Sequence, residues 1–377
     1  MIEPIVNYII MLLFVLIGYI TLSISRKFKL PEPLILFLLG VVMQFFTNIE
    51  FFTIIKICLI LLIFDVGAHL VPKKFDTHAL KFGEFILSSW FIFTLLFWIF
   101  LSYFWSHNVW YLNLTWSVLI SSVITACSQF ELLKTFKVKH NRLYFLTELE
   151  DNLSNSFMMI VGLISLLFLT NYSITNTISN ILLKTLSQIF IDLSVGVFFG
   201  FILLFFIVRV FKRKYVHYLT FIFAILIYFI CIYFGGFGLI AVFIASIFYN
   251  NIKSKEAEMH EFKPFIRNLV YILVFILLGY FIFLDNFVLV WSVILFMIYL
   301  LIRYVLLKIM LRYTQSFIAF DCPKGLATGA LLLFTYKSLS WCCGVREITF
   351  FSIIVMFFIW CILFSYFLNL YTHKITN

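Results

Sequence analysis

Long apolar runs, separated by short polar segments, make up almost the whole of this chain. Of its 377 residues, 64% are hydrophobic and only 12% are charged, and the mean hydropathy is +1.11. A soluble globular domain is about half apolar and about a quarter charged, so a water-soluble fold is excluded. Because a helix needs about 20 mainly apolar residues to cross a bilayer, the runs predict an all-α polytopic membrane protein.

The lengths of these runs give the number of membrane spans. Applied along the sequence, the length of a spanning helix predicts about thirteen transmembrane helices. No segment between them is long enough to form a separate soluble domain. The predicted spans cover approximately 4–23, 32–47, 51–70, 79–104, 111–133, 145–170, 184–210, 217–234, 236–251, 265–284, 287–308, 316–339 and 348–371.

Lysine and arginine residues alternate between the two sides of the predicted membrane. Each odd-numbered loop carries at least two of them, whereas the even-numbered loops have them only at their borders. Cytoplasmic loops are enriched in basic residues, which predicts an N-terminus outside and a C-terminus in the cytoplasm. The same rule accounts for the net charge of +10, so the expected partner is the lipid bilayer and no nucleic acid is expected.

One polar segment lies at the start of an otherwise apolar run. Residues 147–156 contain three carboxylates and two carboxamides, and the apolar stretch 157–169 follows directly. Charges inside a bilayer are costly and usually line a polar pathway. This segment therefore indicates a membrane protein that handles ions or protons.

Two predicted spans are interrupted by small and polar residues. The fifth contains residues 125–129 (TACSQ), and the twelfth contains residues 321–325 (DCPKG). Interrupted spans in the two halves of a chain are typical of transporters built from inverted repeats, in which half-helix ends form a site at the membrane midplane. The sequence therefore predicts two broken helices that meet near such a site.

The polar residues offer no chemistry typical of an enzyme. The seven cysteines are scattered, without a CxxC or Cys/His spacing, so neither a metal site nor a disulfide framework is predicted. The sequence contains no recognisable nucleophile–base pair and no phosphate-binding loop. We therefore expect neither an enzyme nor a bound cofactor.

Five short motifs, in order along the chain, carry a resemblance to a known family. They are residues 64–67 (FDVG), 235–246 (GGFGLIAVFIAS), 275–279 (FILLG), 301–303 (LIR) and 323–326 (PKGL). Together they resemble the monovalent cation:proton antiporter-1 family, the sodium/proton exchangers, over nearly the whole chain.

The resemblance implies the inverted-repeat cation:proton antiporter fold, with about thirteen helices in a single transporter domain, residues 1–377. It places core-type helices at approximately 79–170 and 287–371, and dimerisation-type helices at approximately 4–70 and 184–284. The fifth and twelfth helices are expected to unwind and cross within the core. The resemblance further implies a homodimer in which the core moves against the dimerisation helices.

This chain departs from the family pattern at the ion site. Members carry Thr-Asp-Pro in the fifth span, but residues 127–129 (CSQ) take that place here. In the sixth span Glu150 is kept, whereas Ser154 and Asn155 occupy the positions of the family's asparagine and ion-binding aspartate. The carboxylate that the resemblance implies as the site of proton and cation binding is therefore missing.

Asp151 is the carboxylate nearest to the missing one. It precedes Asn155 by four residues, so on a helix the two side chains share a face. Asn155 can ligate a cation through its carbonyl oxygen but cannot carry a proton. One hypothesis is that Asp151 takes over proton or cation binding; the alternative is that Asp151 is solvated near the cytoplasmic end of the span. Ser154 is a further candidate ligand, and Ser128 and Gln129 either ligate the cation or satisfy the broken helix backbone.

Three other charges have predicted structural roles. The resemblance implies an ion pair between Glu150 and Arg303, because buried opposite charges tolerate the bilayer only when they are paired. The alternative is that Arg303 extends to the cytoplasmic surface. Lys324 is expected to compensate the helix ends where the broken spans cross, or to pair locally with Asp321.

The sequence thus predicts a secondary active transporter that exchanges Na⁺, K⁺ or Li⁺ for protons by alternating access. The alternative is a protein of the same fold without coupled exchange, acting as an ion leak, a uniporter or a membrane scaffold. The charges at 150, 303 and 324 favour transport, whereas the missing aspartates favour the alternative. The compact chain without a regulatory tail is typical of a multi-pass protein of a bacterial plasma membrane.

Overall fold

Helices account for nearly all of the described structure. The structure is a computed structural model and describes residues 2–28, 30–45, 51–69, 77–104, 110–126, 141–172, 177–209, 216–253, 264–311, 326–339 and 345–376. Within these ranges there are thirteen α-helices and no β-strand. The helices are α1 (Ile2–Phe28), α2 (Glu32–Gln44), α3 (Phe52–His69), α4 (Thr77–Phe104), α5 (Trp110–Thr125), α6 (Asn141–Tyr172), α7 (Ile178–Arg209), α8 (Val216–Tyr233), α9 (Leu239–Lys253), α10 (Pro264–Tyr280), α11 (Asn286–Leu306), α12 (Leu326–Leu339) and α13 (Val345–Thr376).

Each helix coincides with one of the thirteen apolar runs, so the prediction of an all-α fold is confirmed. The main differences lie at helix ends. α7 begins at Ile178, before the predicted start at 184. Hydropathy placed the start too late because the first turn contains the polar residues Ser179 and Asn180. The N–H of Ile181 donates to the Thr177 carbonyl at 3.1 Å. Of the predicted interruption at 125–129, Thr125 ends α5 and Ala126 follows it, whereas 127–129 and the whole of the interruption at 321–325 lie outside the described residues.

The helices differ in length and in how far they are buried within the protein. By length and composition, five helices of the described part are apolar enough to cross a membrane: α4, α6, α7, α11 and α13. Over the most apolar window of each, α6 and α13 are 56% and 61% buried, whereas α7 and α11 are only 22% and 28% buried. Within a single chain, α6 is therefore an interior helix and α7 a peripheral one.

Close contact between α2 and α10 organises the first of two compact units. This unit contains α1, α2, α3 as far as Cys58, and the helices from α10 to α13. A Cβ atom at Gly40 would overlap the Ile276 carbonyl, and one at Gly279 would overlap the Phe37 carbonyl. The two glycines therefore let the backbones of α2 and α10 touch directly.

The helices α11 and α13 form a second packed pair in the same unit. The Trp360 indole donates a hydrogen bond to Ser292 Oγ at 3.1 Å, and the rings of Tyr299 and Phe357 meet edge to face with centroids 5.3 Å apart. α11 continues into a π-helical turn at Leu307–Leu311. Buried indole and hydroxyl groups thus satisfy each other within apolar helices, as a membrane interior requires.

The second compact unit contains α3 from Leu59 onwards and the helices α4 to α9. In this unit α5 packs between α4 and α6, and α9 packs along α7. Gly196 and Gly200 of α7 face α9, where a Cβ atom would approach the Ala241 carbonyl and the Phe248 ring to less than 3.0 Å. The polar segment of the sixth predicted span lies in this unit, on α6.

Candidate functional site

α6 carries the four polar residues that we call the α6 cluster: Glu150, Asp151, Ser154 and Asn155. Glu150 and Ser154 are each only 1% exposed. They are four residues apart, so both lie on one face of the helix. The apolar run that follows keeps the helix intact through Tyr172 and embeds this polar face in the protein interior.

Asp151 and Asn155 lie on the neighbouring face of α6. Asn155 is half-buried, and its Oδ1 atom is fully buried. Asp151 belongs to the helix one turn earlier, and its side chain lies outside the described ones. α6 is a continuous helix between the two residues, and their joint action on one ion stays a prediction.

Ser156 connects α6 with α3. Its side chain is 1% exposed, and its Oγ atom lies 3.5 Å from the Val66 carbonyl, at the long limit for a hydrogen bond. Val66 belongs to the 64–67 motif, next to Gly67. The α6 cluster therefore lies next to a direct contact with α3.

A stripe of buried polar residues on α5, which the sequence reasoning missed, runs along a helix packed against α6. Its serine and threonine hydroxyls donate to backbone carbonyls three or four residues earlier in the same helix. Each such hydroxyl oxygen keeps lone pairs that can accept a proton or ligate a cation. This α5 stripe consists of Asn113, Ser117, Ser121, Ser122 and Thr125.

Two side chains of α4 bind the α5 stripe. Thr94 Oγ1 and Ser121 Oγ are 2.7 Å apart, and the Trp90 indole donates to Ser122 Oγ at 3.2 Å. The spacing of four between residues 113, 117, 121 and 125 is a signal by which the stripe is recognisable in the sequence. The partners on α4 have no comparable signal, because they depend on how two helices pack.

The remaining predicted site residues are not all brought together. Ser128, Gln129 and Lys324 lie outside the described residues. Arg303 is buried, with 3% of its surface exposed, in the last turn of α11. It belongs to the first unit and Glu150 to the second, so the ion pair between them stays a prediction.

Another buried carboxylate was missed by the sequence reasoning. Asp192 lies in the middle of α7 and has no exposed surface. It belongs to the second unit, as the α6 cluster does, but to a different helix. The available signal was a lone acidic residue within the apolar span Ile178–Leu203.

These features define a class of protein. Thirteen apolar helices make the chain an integral, multi-pass membrane protein. Carboxylate, amide and hydroxyl groups buried in such helices are typical of proteins that move ions or protons across a membrane. The molecule thus has the architecture of a membrane ion transporter.

The comparison with known families identifies the transporter class. The family model described as sodium/hydrogen exchanger, transmembrane, matches residues 11–364. The chain therefore belongs to the sodium/hydrogen exchanger family, as its motifs predict, and functions as a secondary active cation:proton exchanger. This is a family of transporters and not a class of enzymes.

Solved structures of a sodium proton antiporter share the fold. The sodium proton antiporter MjNhaP1 from Methanocaldococcus jannaschii, in a structure at pH 8, has 17% sequence identity and a TM-score of 0.70, over 97% of this chain and 99% of that chain. A second structure of MjNhaP1 has 18% identity and a TM-score of 0.68, over 98% and 96% of the two chains. A comparison with curated protein sequences gives no match. The antiporter fold predicted from the motifs is thereby confirmed.

Proposed function

We propose that this protein exchanges Na⁺, K⁺ or Li⁺ for protons at the α6 cluster, with Asp151 as the group that binds them alternately. The observation that carries this proposal is the burial of Glu150 and Ser154 on α6, one helix face away from Asp151 and Asn155. A polar surface of this kind inside an interior helix has a large desolvation cost. A role in ion binding accounts for a cluster of polar groups at this place.

The exchange follows from competition for one carboxylate. A carboxylate in a membrane interior is stable when it holds a proton or when it ligates a cation, but not when it is bare. Binding of a cation therefore releases the proton, and return of the proton releases the cation. Asp151 takes this role because Asn155, in the family's aspartate position, has no titratable proton.

Neutral oxygen atoms complete the proposed coordination of the cation. Asn155 Oδ1 and Ser154 Oγ lie on the same helix as Asp151 and are both buried. Ser128 and Gln129 lie three and four residues after the end of α5, whose last residue, Thr125, belongs to the α5 stripe. Oxygen ligands of this type replace the water that the cation loses on entering the protein.

The remaining predicted charges act as structural groups in this proposal. Glu150 and Arg303 are both buried, which is what a charge pair within the membrane requires. Lys324 compensates the ends of the broken helices. The proposed pair and lysine keep the helices of the core in place while Asp151 changes its protonation state.

The proposal includes an assembly and an orientation. A homodimer forms through the helices at approximately 4–70 and 184–284, and the core helices at approximately 79–170 and 287–371 move against them. The N-terminus lies outside a bacterial plasma membrane and the C-terminus in the cytoplasm. The support for this orientation is the alternation of basic residues between the loops.

Exchange by the purified protein in liposomes tests the function. With an imposed pH gradient, addition of Na⁺, K⁺ or Li⁺ is expected to dissipate the gradient only in liposomes that contain the protein. Dissipation without any added cation identifies an uncoupled leak and contradicts the proposal. A gradient that survives all three cations contradicts it as well.

A further inference from the structure

The buried carboxylate of α7 has no role in the proposed ion site. Asp192 has no exposed surface, whereas its neighbours Phe190 and Leu193 are 67% and 41% exposed. The aspartate therefore lies on the inward face of a helix whose opposite face is mostly apolar and is not covered by this chain. Burying such a group is costly unless its hydrogen-bonding capacity is used, so its partners indicate its role.

Three donors converge on one oxygen of Asp192. Its Oδ1 atom accepts hydrogen bonds from the backbone N–H groups of Phe237 at 2.8 Å and Gly238 at 3.2 Å, and from the Cys231 thiol at 2.9 Å. Its Oδ2 atom is buried without a hydrogen-bond partner in the described part of the chain. Hydrogen bonds to a carboxylate are about twice as strong as neutral ones, so Asp192 holds both α8 and the segment that follows it.

The segment that Asp192 binds is built of glycine. Residues 235–238 (GGFG), which we call the glycine loop, join α8 to α9, and Gly235 and Gly238 have φ angles of +85° and +84°. Residues with a side chain rarely adopt such angles. A Cβ atom at Gly236 would overlap both Asp192 Oδ1 and Cys231 Sγ. The loop can therefore reach the carboxylate only because glycine occupies these positions.

The glycine loop also forms the start of α9. The Gly238 carbonyl accepts the first helical hydrogen bond, from Val242 N–H at 3.1 Å. Asp192 thus binds the backbone N–H groups just before the first turn of α9. The positive end of the helix dipole stabilises a carboxylate at this position. Asp192 therefore adds a polar contact at the start of α9 to the close packing of α7 and α9 at Gly196 and Gly200.

A continuous series of contacts leads from α9 to the α6 cluster. A Cβ atom at Gly67 of α3 would overlap Ser246 Oγ of α9, so the two helices touch at this point. The adjacent Val66 carbonyl lies 3.5 Å from Ser156 Oγ of α6. Ser156 follows Asn155 directly in the chain. These contacts connect α9 through α3 to the residue next to the α6 cluster.

We propose that Asp192 is a positioning residue for cation:proton exchange. Its hydrogen bonds hold the glycine loop against α7. They thereby help to keep α9, and α3 beside it, in the positions at which α6 packs against them. We call the contact between Asp192 and residues 235–238 the latch. This inference rests on the proposed function, because the proposed function makes the α6 cluster the site of transport. It follows that the Asp192 carboxylate affects the turnover rate although it does not bind the transported cation.

Substitutions at Asp192 and in the glycine loop distinguish a positioning role from a role in carrying the proton. Asp192→Leu removes the acceptor, and Gly236→Ala inserts a methyl group between loop and carboxylate while leaving Asp192 intact. Asp192→Asn keeps an acceptor oxygen but removes the titratable proton. Ser194→Ala is the matched control, because Ser194 is exposed on the same helix and bonds only its own helix backbone in the described structure.

The first measurement is amide hydrogen exchange of peptides spanning residues 234–239, followed by mass spectrometry. Loss of hydrogen bonds to a carboxylate is expected to raise the exchange rate about tenfold in Asp192→Leu and Gly236→Ala, and to leave Ser194→Ala unchanged. Unchanged protection in both latch variants would overturn the inference. This measurement needs no transport, so it stays decisive even if the protein in liposomes exchanges no cation.

The second measurement is cation-dependent exchange by the same variants in liposomes. Turnover is expected to fall about tenfold in Asp192→Leu and Gly236→Ala, with the KM for the cation within about twofold of the parent value, since Asp192 does not bind the cation. Asp192→Asn retains intermediate turnover because its oxygen still accepts from the loop. Complete loss of exchange in Asp192→Asn with full amide protection would identify Asp192 as a proton carrier and refute positioning. If Asp192→Leu does not fold, the turnover and amide exchange of Gly236→Ala and Asp192→Asn are compared with those of Ser194→Ala instead.

Discussion

At the scale of single residues, position on the helix decides what a polar side chain of α6 can do. Glu150 and Ser154 are almost fully buried on one face, and Asp151 and Asn155 lie along the next. Successive residues are about 100° apart around a helix, so positions 150 and 151 belong to different faces of α6. A structural charge and a transporting charge can therefore be adjacent in sequence.

The corresponding prediction concerns a variant in which residue 151 cannot carry a proton. Asp151→Asn preserves size and hydrogen bonding but leaves no carboxylate to carry a proton. Cation-dependent exchange in liposomes is expected to fall at least about a hundredfold, the loss of roughly 3 kcal/mol of differential binding. Glu148→Gln, on the same helix, is the matched control and is expected to retain activity.

A second substitution distinguishes loss of the proton carrier from general damage. In the Asp151→Asn background, Asn155→Asp returns a carboxylate to the same helix face and is expected to restore measurable exchange. The measurement is the same liposome assay. Normal activity of Asp151→Asn on its own would show that the transported proton uses another group.

At the scale of helices, the α5 stripe joins α4 and α5 through side chains. The Trp90 indole donates to Ser122 Oγ, and Thr94 is in contact with Ser121. Inside a membrane protein such polar contacts replace the hydrophobic driving force that lipid removes. The stripe therefore stabilises the pair formed by α4 and α5.

Ser122→Ala tests this stabilisation. It leaves the Trp90 indole N–H without the acceptor seen here, and the free energy of unfolding is expected to fall by about 1–2 kcal/mol. Unfolding in detergent, followed by tryptophan fluorescence, measures the change. Ser187→Ala, at an exposed serine of α7, is expected to change it by less than about 0.5 kcal/mol. Equal effects of the two substitutions would mean that the α4–α5 contact contributes nothing.

The close approach of the α2 and α10 backbones gives a second prediction about stability. Gly40→Ala places a methyl group against the Ile276 carbonyl, so the backbones must separate, and we expect a loss of about 1–3 kcal/mol. Gly83→Ala is the control, because nothing lies within 4 Å of a Cβ atom there. Its expected effect is neutral or stabilising by up to about 1 kcal/mol. Comparable destabilisation by both would contradict the close approach of α2 and α10.

At the scale of the whole molecule, the number and type of the helices follow from the sequence because the bilayer imposes a simple length rule. Helix ends are less predictable: α7 extends to Ile178 through polar residues that hydropathy excludes. Asp192 was missed because its partners are backbone groups 45 and 46 residues away. Motifs identified the glycine loop, but only packing shows which side chain it binds.

The arrangement of the molecule separates ion chemistry from mechanical support. The α6 cluster lies on an interior helix, whereas Asp192 lies on a peripheral helix and acts through α9 and α3. Competition of a proton and a cation for one carboxylate needs only a single titratable group in the site. The central claim is therefore that cation binding and proton release are one event at Asp151.

Proton release on cation binding tests that claim most directly. The purified protein in weakly buffered detergent solution is mixed with Na⁺, K⁺ or Li⁺, and the released protons are followed with a pH indicator dye. The account predicts release of about one proton per chain by the unmodified protein and none by Asp151→Asn. Cation binding without proton release, or undiminished release by Asp151→Asn, would contradict the account.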